Sequence, residues 1–236
     1  MSFNFGSLAT TQSVSNVQQR LKPWDIYPVK FVGARVERIS GKKDPNAVYD
    51  ILKVRFEGES GYYEESIFFP KPEDTKRPVY QNKEGHDYEG ASAFERTMTF
   101  IAQVAGVLNP EGFKKMQEQS SKFRNFDDVA KAFIAVTDKA KGKETHLKLV
   151  GGTSNGQVIP KLPKFVAVTK TGEAFTCDNF IGDKLFFSEY ENSRRAEYMN
   201  AKPTTVGNPV VTTDPVNNFD NTSTEAEEEI DFNSLL

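Results

Sequence analysis

Cysteine is nearly absent: the 236 residues contain one, Cys177. A single thiol excludes an intrachain disulfide and fits a reducing compartment. Histidine is scarce as well, with only His86 and His146, so no His/Cys set has zinc spacing. There is no Gly-x-x-x-x-Gly-Lys-Ser/Thr phosphate loop, and Gly151, Gly152 and Gly156 are too loosely spaced for a dinucleotide fingerprint. Nothing approaches the ~18 consecutive apolar residues that span a bilayer. Residues 1–19 carry no charged side chain and lack the basic start and apolar stretch of a signal peptide. These absences predict a soluble cytoplasmic protein with no cofactor, no metal and no membrane partner.

What is present is a charge asymmetry hidden by a net charge of −3. Residues 201–236 hold seven acids (Asp214, Asp220, Glu225, Glu227, Glu228, Glu229, Asp231) and one base, Lys202, a net of −6. Residues 1–200 therefore carry 29 bases against 26 acids, a net of +3. A basic body joined to an acidic tail points to nucleic-acid or partner binding. A body of this size can bury one core.

The pattern along the chain predicts three units. Residues 1–23, rich in Ser, Thr, Gln and Asn, read as a flexible arm, residues 24–200 as one domain, and residues 201–236 as a disordered linker and acidic tail. Within the domain, alternation predicts strands at 29–39 and 48–58, with a turn at 59–61 and a partner strand at 62–69. Residues 70–91 read as a long polar loop. Ser92-x-x-Glu95 is a capping box that opens a helix, with Phe94, Met98, Ile101, Ala105 and Leu108 as its buried stripe. Pro110 and Asn125 open two further helices, completing a helical insertion over about 92–140. Strands are predicted at 145–150, 165–170 and 173–182, with a loop at 151–163 and a closing helix over 183–200. Three antiparallel strands, helices and two or three more strands make an α+β fold, mostly β. The order is that of an OB-like barrel of five to six antiparallel strands with added helices.

A single-strand binder needs cations for phosphates and flat rings for unstacked bases. Period-2 alternation puts Tyr49, Lys53 and Arg55 on the face of the second strand opposite Leu52, Val54 and Phe56. It adds Phe31 and Arg35 from the first strand and Tyr62 and Phe68 from the third, while Lys42 and Lys43 occupy the loop joining strands one and two. In OB folds the strand 2–3 face and that loop are binding positions. The other reading of the aromatics is a second core beneath the helices. Glu64 and Ser66 on the same face open a further alternative, cross-strand pairing with Lys53 or Arg55. Asp50, Glu64 and Glu65 keep open a metal-dependent nuclease or related DNA-processing enzyme, although Glu64 and Glu65 point to opposite faces. A structural or interaction protein without DNA is the third class.

The tail residues Glu227, Glu228, Glu229, Ile230, Asp231 and Phe232, followed by Leu235 and Leu236, combine acids too crowded to pack in a core with apolar anchors. With an OB-like basic body and a polar linker, this arrangement resembles the replicative single-stranded DNA-binding proteins of bacteria and tailed phages. The FFPKP segment (68–72) and the helical insertion resemble a divergent phage member, in which case the compartment is the host cytoplasm. The resemblance implies sequence-independent coating of single-stranded DNA in replication and recombination, without catalysis. It also implies that the tail recruits a polymerase, primase or helicase through its terminal hydrophobic residue and flanking acids, and competes with DNA for the basic groove. Apolar Phe3, Phe5 and Leu8, set in the polar arm, separately point to self-association through contact with a neighbouring copy. The family's tip ends at its phenylalanine. Here Phe232 is followed by Asn233, Ser234, Leu235 and Leu236, so Phe232 and the Leu235/Leu236 pair both stand as anchors.

Overall fold

Alternating apolar residues lay down the first strands as a meander. In the computed structural model, β1 spans Asp25–Ser40, β2 Val48–Gly58 and β3 Gly61–Phe68, each antiparallel to the next. The structure describes residues 19–41, 44–81, 85, 87–154, 156–163, 169–170 and 178–201. Leu52, Val54 and Phe56 point from β2 into the core and are fully buried, as the two-residue period requires. Gly58 pairs with Gly61 across the turn at Glu59 and Ser60. Gly61 has φ +147°, and a Cβ there would sit 2.1 Å from the Gln19 carbonyl oxygen. Conformation and space both demand glycine.

That close approach arises because residues 19–21 run along the start of β3. Leu21 N–H donates to the Tyr62 carbonyl (2.8 Å), and Tyr62 N–H donates to that of Gln19 (2.9 Å). Leu21 is buried in the core. The arm predicted over 1–23 therefore yields its last residues to the sheet edge, because Leu21 has an apolar site to fill. Residues 1–18 lie outside the described residues.

The polar loop predicted at 70–91 contains more structure than its composition indicates. A 3₁₀ turn at Pro72–Thr75 leads to two short strands, β4 (Val79–Gln81) and β5 (Asp87–Glu89). The helices follow their caps. Ser92 and Glu95 exchange side-chain and backbone hydrogen bonds at the start of α1 (Ala93–Leu108), satisfying two otherwise free amides. Pro110 opens α2 (Pro110–Glu118), and the Asn125 side chain caps α3 (Phe126–Asp138). Phe126, Val129, Phe133 and Val136 are buried on α3. On α1 Ile101, Ala105 and Leu108 of the predicted stripe are buried, but Phe94 is exposed and the buried face widens to include Phe100 and Val104. Phe100 stacks on Phe180 at 5.6 Å, a distant partner that local spacing does not reveal.

The chain then returns to the sheet. β6 (Glu144–Ser154) and β7 (Gln157–Lys161) form a hairpin where a loop over 151–163 is predicted. Ser154 pairs with Gln157 across the turn, where Gly156 has φ +76°, and the sequence there, Asn-Gly, is one that favours tight hairpin turns. β8 (Thr169–Lys170) pairs with β5. Residues 164–168 and 171–177, which hold the rest of the predicted strand at 165–170 and half of that at 173–182, Cys177 included, lie outside the described residues, and residues 178–182 form no strand beyond a single bridge from Ile181 to Leu147. α4 (Glu189–Asn200) closes the described chain.

The main sheet has five antiparallel strands in the order β3-β2-β1-β6-β7, and a smaller one has the order β4-β5-β8. β3 and β7 are the two edges of the main sheet, so among the described residues it stays open and no closed barrel forms. With helices α1–α3 inserted between β3 and β6, this is a mixed α+β fold, mostly β. Val29, Phe31, Leu147 and Leu149 from the sheet pack with Val104, Ala130 and Phe133 from the helices in one core. Among the described residues no helix is long and apolar enough to cross a membrane.

Candidate nucleic-acid interface

Strand register decides which side chains share the outer face, the side turned away from Leu52, Val54 and Phe56. Arg35 lies opposite Lys53, Lys53 opposite Ser66, Arg55 opposite Glu64, and Ile51 opposite Phe68. Directly opposed residues of antiparallel strands project to the same side. Arg35, Tyr49, Lys53, Arg55, Tyr62 and Phe68 therefore come together, as predicted. Lys42 and Lys43 lie outside the described residues.

Phe31 is corrected. It is 1% exposed and packs against Phe56 with ring centroids 5.7 Å apart. The cause is a β-bulge: Phe31 pairs with Phe56 but Gly33 with Arg55, so one extra residue shifts the alternation. Phe31 faces inward before the bulge, and Arg35 and Glu37 face outward after it. Reading the alternation straight through assigns Phe31 to the wrong side.

The cations on this face are matched by acids. Arg35 reaches Glu64 at 3.1 Å and Glu37 at 3.3 Å. Lys53 reaches Glu37 at 2.9 Å and Glu64 at 3.6 Å. Arg55 pairs with Glu57 at 2.8 Å, and its guanidinium lies 4.3 Å from the Tyr62 ring centroid, a favourable cation–π arrangement. The Lys53 hydrogen bond, reinforced by the charges of Lys53 and Arg35, holds the Glu37 carboxyl below its ordinary value against a smaller desolvation effect. Three cations face three carboxylates, so the patch has no formal charge and is not a continuous basic groove. Cross-strand pairing is what the geometry shows.

The rings sit at the two ends of this charged strip. Tyr49 and Phe68 meet edge to face at 6.4 Å, beside the buried Ile51. Tyr62 stands at the other end with Arg55. All three rings are partly exposed, so each offers a surface on which a base can stack.

The three acids considered for a metal do not converge. Asp50 accepts from Arg38 at 2.9 and 3.3 Å. Glu65 accepts from the hydroxyl of the buried Tyr63, and burial followed by the Glu65 charge pushes that hydroxyl well above its usual value. Glu64 projects from the opposite side of β3. Among the described residues no group of three His, Cys, Asp or Glu side chains is placed to hold a metal ion.

A second polar cluster joins α4 to the sheet and escaped the sequence reading. Lys148 on β6 donates to the Glu191 carboxylate at 3.1 Å and to the Phe186 carbonyl at 3.0 Å. Arg195 Nε–H donates to the Trp24 carbonyl at 2.9 Å, and its guanidinium lies 5.3 Å from the Phe187 ring centroid. A cleft of about 220 Å³ beside it is lined by Lys148, Asp178, Asn179, Lys184 and Phe186. One local signal was available: Ser188-x-x-Glu191 is a capping box. Nothing local marks Lys148 as its partner.

Residues Glu227–Phe232, Leu235 and Leu236 lie outside the described residues, so the tail is known from sequence alone. Compared with protein-family models, curated proteins and solved structures, the chain matches none.

Proposed function

We propose that this chain is a non-catalytic, sequence-independent single-stranded DNA-binding protein acting in replication or recombination, of the kind found in bacteria and tailed phages. The reading carries with it an OB-like organisation. Three strands, an insertion of helices and a further hairpin follow the OB order, and β1 is bent at a bulge and shared between β2 and β6.

The observation that carries it is the outer face of β2 and β3, where Tyr49, Phe68 and Tyr62 flank Lys53 and Arg55. Rings beside cations on an open sheet are what a base-stacking, phosphate-contacting surface needs, and each stacked base contributes about 1–3 kcal/mol. In this reading the acidic tail recruits a polymerase, primase or helicase, with Phe232 or the Leu235/Leu236 pair as anchor.

Fluorescence anisotropy with labelled oligo(dT), duplex DNA and RNA tests the proposal. Oligo(dT) should bind in preference to duplex, and Tyr62→Ala and Tyr49→Ala should each weaken it without unfolding the protein. Absence of binding to any nucleic acid overturns the proposal. It would favour the second reading, a protein-interaction surface, for which the balanced charges of this face are the specific support.

A further inference from the structure

The ion pairs of the outer face close into a ring. Glu64 reaches both Arg35 and Lys53 from β3, and Glu37 reaches the same two cations from β1. Each cation thus holds two carboxylates and each carboxylate two cations, across three adjacent strands. The ring is partly withdrawn from solvent, with the Glu64 side chain 15% exposed and that of Lys53 19%, so salt screens it less than a fully exposed pair. A phosphodiester offers these donors what the carboxylates offer: negative charge and paired oxygens that match a guanidinium fork. Carboxylate and phosphate must therefore compete for the same N–H groups.

We infer that Glu37 and Glu64 are internal stand-ins for phosphate, holding Arg35 and Lys53 until a nucleic-acid backbone displaces them, and that this exchange makes the face selective for single strands. The inference rests on the nucleic-acid reading of the face. Swapping one anion for another leaves little net Coulombic gain, and the released carboxylates stay near the incoming phosphates. Backbone contacts alone then hold a ligand weakly. A single strand adds stacking of its unpaired bases on Tyr62, Tyr49 and Phe68, whereas a duplex keeps its bases stacked inside. The ring of acids thus filters out ligands that bring only charge.

The experiment is the Glu37→Gln/Glu64→Gln double variant, compared with native protein by anisotropy on oligo(dT) and duplex DNA. Binding of inorganic tripolyphosphate by calorimetry provides a readout independent of bases. The variant should bind oligo(dT) at least tenfold more tightly at low salt. Its log–log salt slope should steepen by about 0.7 for each cation freed. Duplex affinity should rise more than oligo(dT) affinity, lowering the preference for single strands, and tripolyphosphate binding should appear or strengthen.

Unchanged oligo(dT) affinity, slope and tripolyphosphate binding in a folded variant overturn the inference, even where native protein binds oligo(dT). A gain in tripolyphosphate binding when neither protein binds oligo(dT) supports the stand-in role and overturns the nucleic-acid reading. Should the double variant fail to fold, Glu64→Gln alone should show the same direction with about half the slope change, and its silence overturns the inference equally.

Discussion

Replacing Glu191 by glutamine keeps the shape of the side chain and an acceptor for Ser188 N–H, which now lies 2.8 Å from the carboxylate. It removes only the charge facing Lys148. The Lys148 side chain is 3% exposed and that of Glu191 12%, so the ammonium would keep the Phe186 carbonyl and the Phe187 ring but no counter-charge. Removing one partner of a buried pair costs about 3–5 kcal/mol, because the remaining charge is stranded away from water. Glu191→Gln should cost about 3 kcal/mol. Lys148→Met should cost less, about 1–2 kcal/mol, since Glu191 retains Ser188 N–H and a helix N-terminus that favours negative charge. The double variant strands no charge and should be more stable than Glu191→Gln alone. Urea denaturation reads the global effect. Hydrogen exchange of the α4 amides reads local release of the helix, in which 3 kcal/mol appears as a loss of protection of about 100-fold. Two single changes that simply add in the double variant, or no change in either measurement, would refute the argument that the pair holds α4.

Three further outcomes follow from the fold. Gly61→Ala should destabilise the protein and free residues 19–21 from β3, because the new Cβ meets the Gln19 carbonyl; loss of amide protection at Leu21 checks it. Phe31→Ala should cost about 3–5 kcal/mol as a core truncation, whereas Phe31→Leu should leave any oligo(dT) affinity of the folded protein unchanged; an affinity loss with stability intact would return Phe31 to the candidate face. The hydrogen bonds from Arg77, backed by those at Ser92, hold the Glu95 carboxyl below its ordinary value. A depressed carboxyl stabilises the fold above its unfolded-state value, and that stability is lost as pH falls through the lowered one. The melting-temperature gap between native protein and Arg77→Ala should therefore narrow on going from pH 7 to strongly acidic solution; a constant gap would show that Arg77 acts through packing rather than through that charge.

Much of this architecture was legible because it is local. The capping box at Ser92 and Glu95, the proline start of α2 and the alternation of β2 each depend on residues a few positions apart. Asn155-Gly156 was equally local and marks the β6–β7 hairpin, yet the surrounding Gly, Ser and Pro residues disguised it as a loop. The misplacement of Phe31 has another origin, because one inserted residue reverses every later side chain of a strand and alternation carries no sign of where it falls. Long-range pairs were illegible for a physical reason. Phe100 finds Phe180, and Lys148 finds Glu191, only once the sheet and helices have met. The candidate face was legible as a set of residues, but its charge balance was not, because neutralisation by Glu37 and Glu64 depends on side-chain geometry across three strands.

The sharing of β1 between two neighbours also orders the events by which the sheet is assembled. Its later half pairs with β2 across a short turn, Ser40 with Val48, while its earlier half pairs with β6, Val29 with Thr145. These contacts close loops of about eight and roughly 115 residues, and the longer closure carries an extra entropic cost of about 2 kcal/mol. The β1–β2–β3 meander should therefore form first, leaving Asp25–Val29 as an unpaired strand segment until the helices have brought β6 into place. During that interval the chain exposes a strand template that another copy can occupy. The hazard belongs to refolding at high concentration, and it lies at the start of β1 rather than at either edge of the finished sheet.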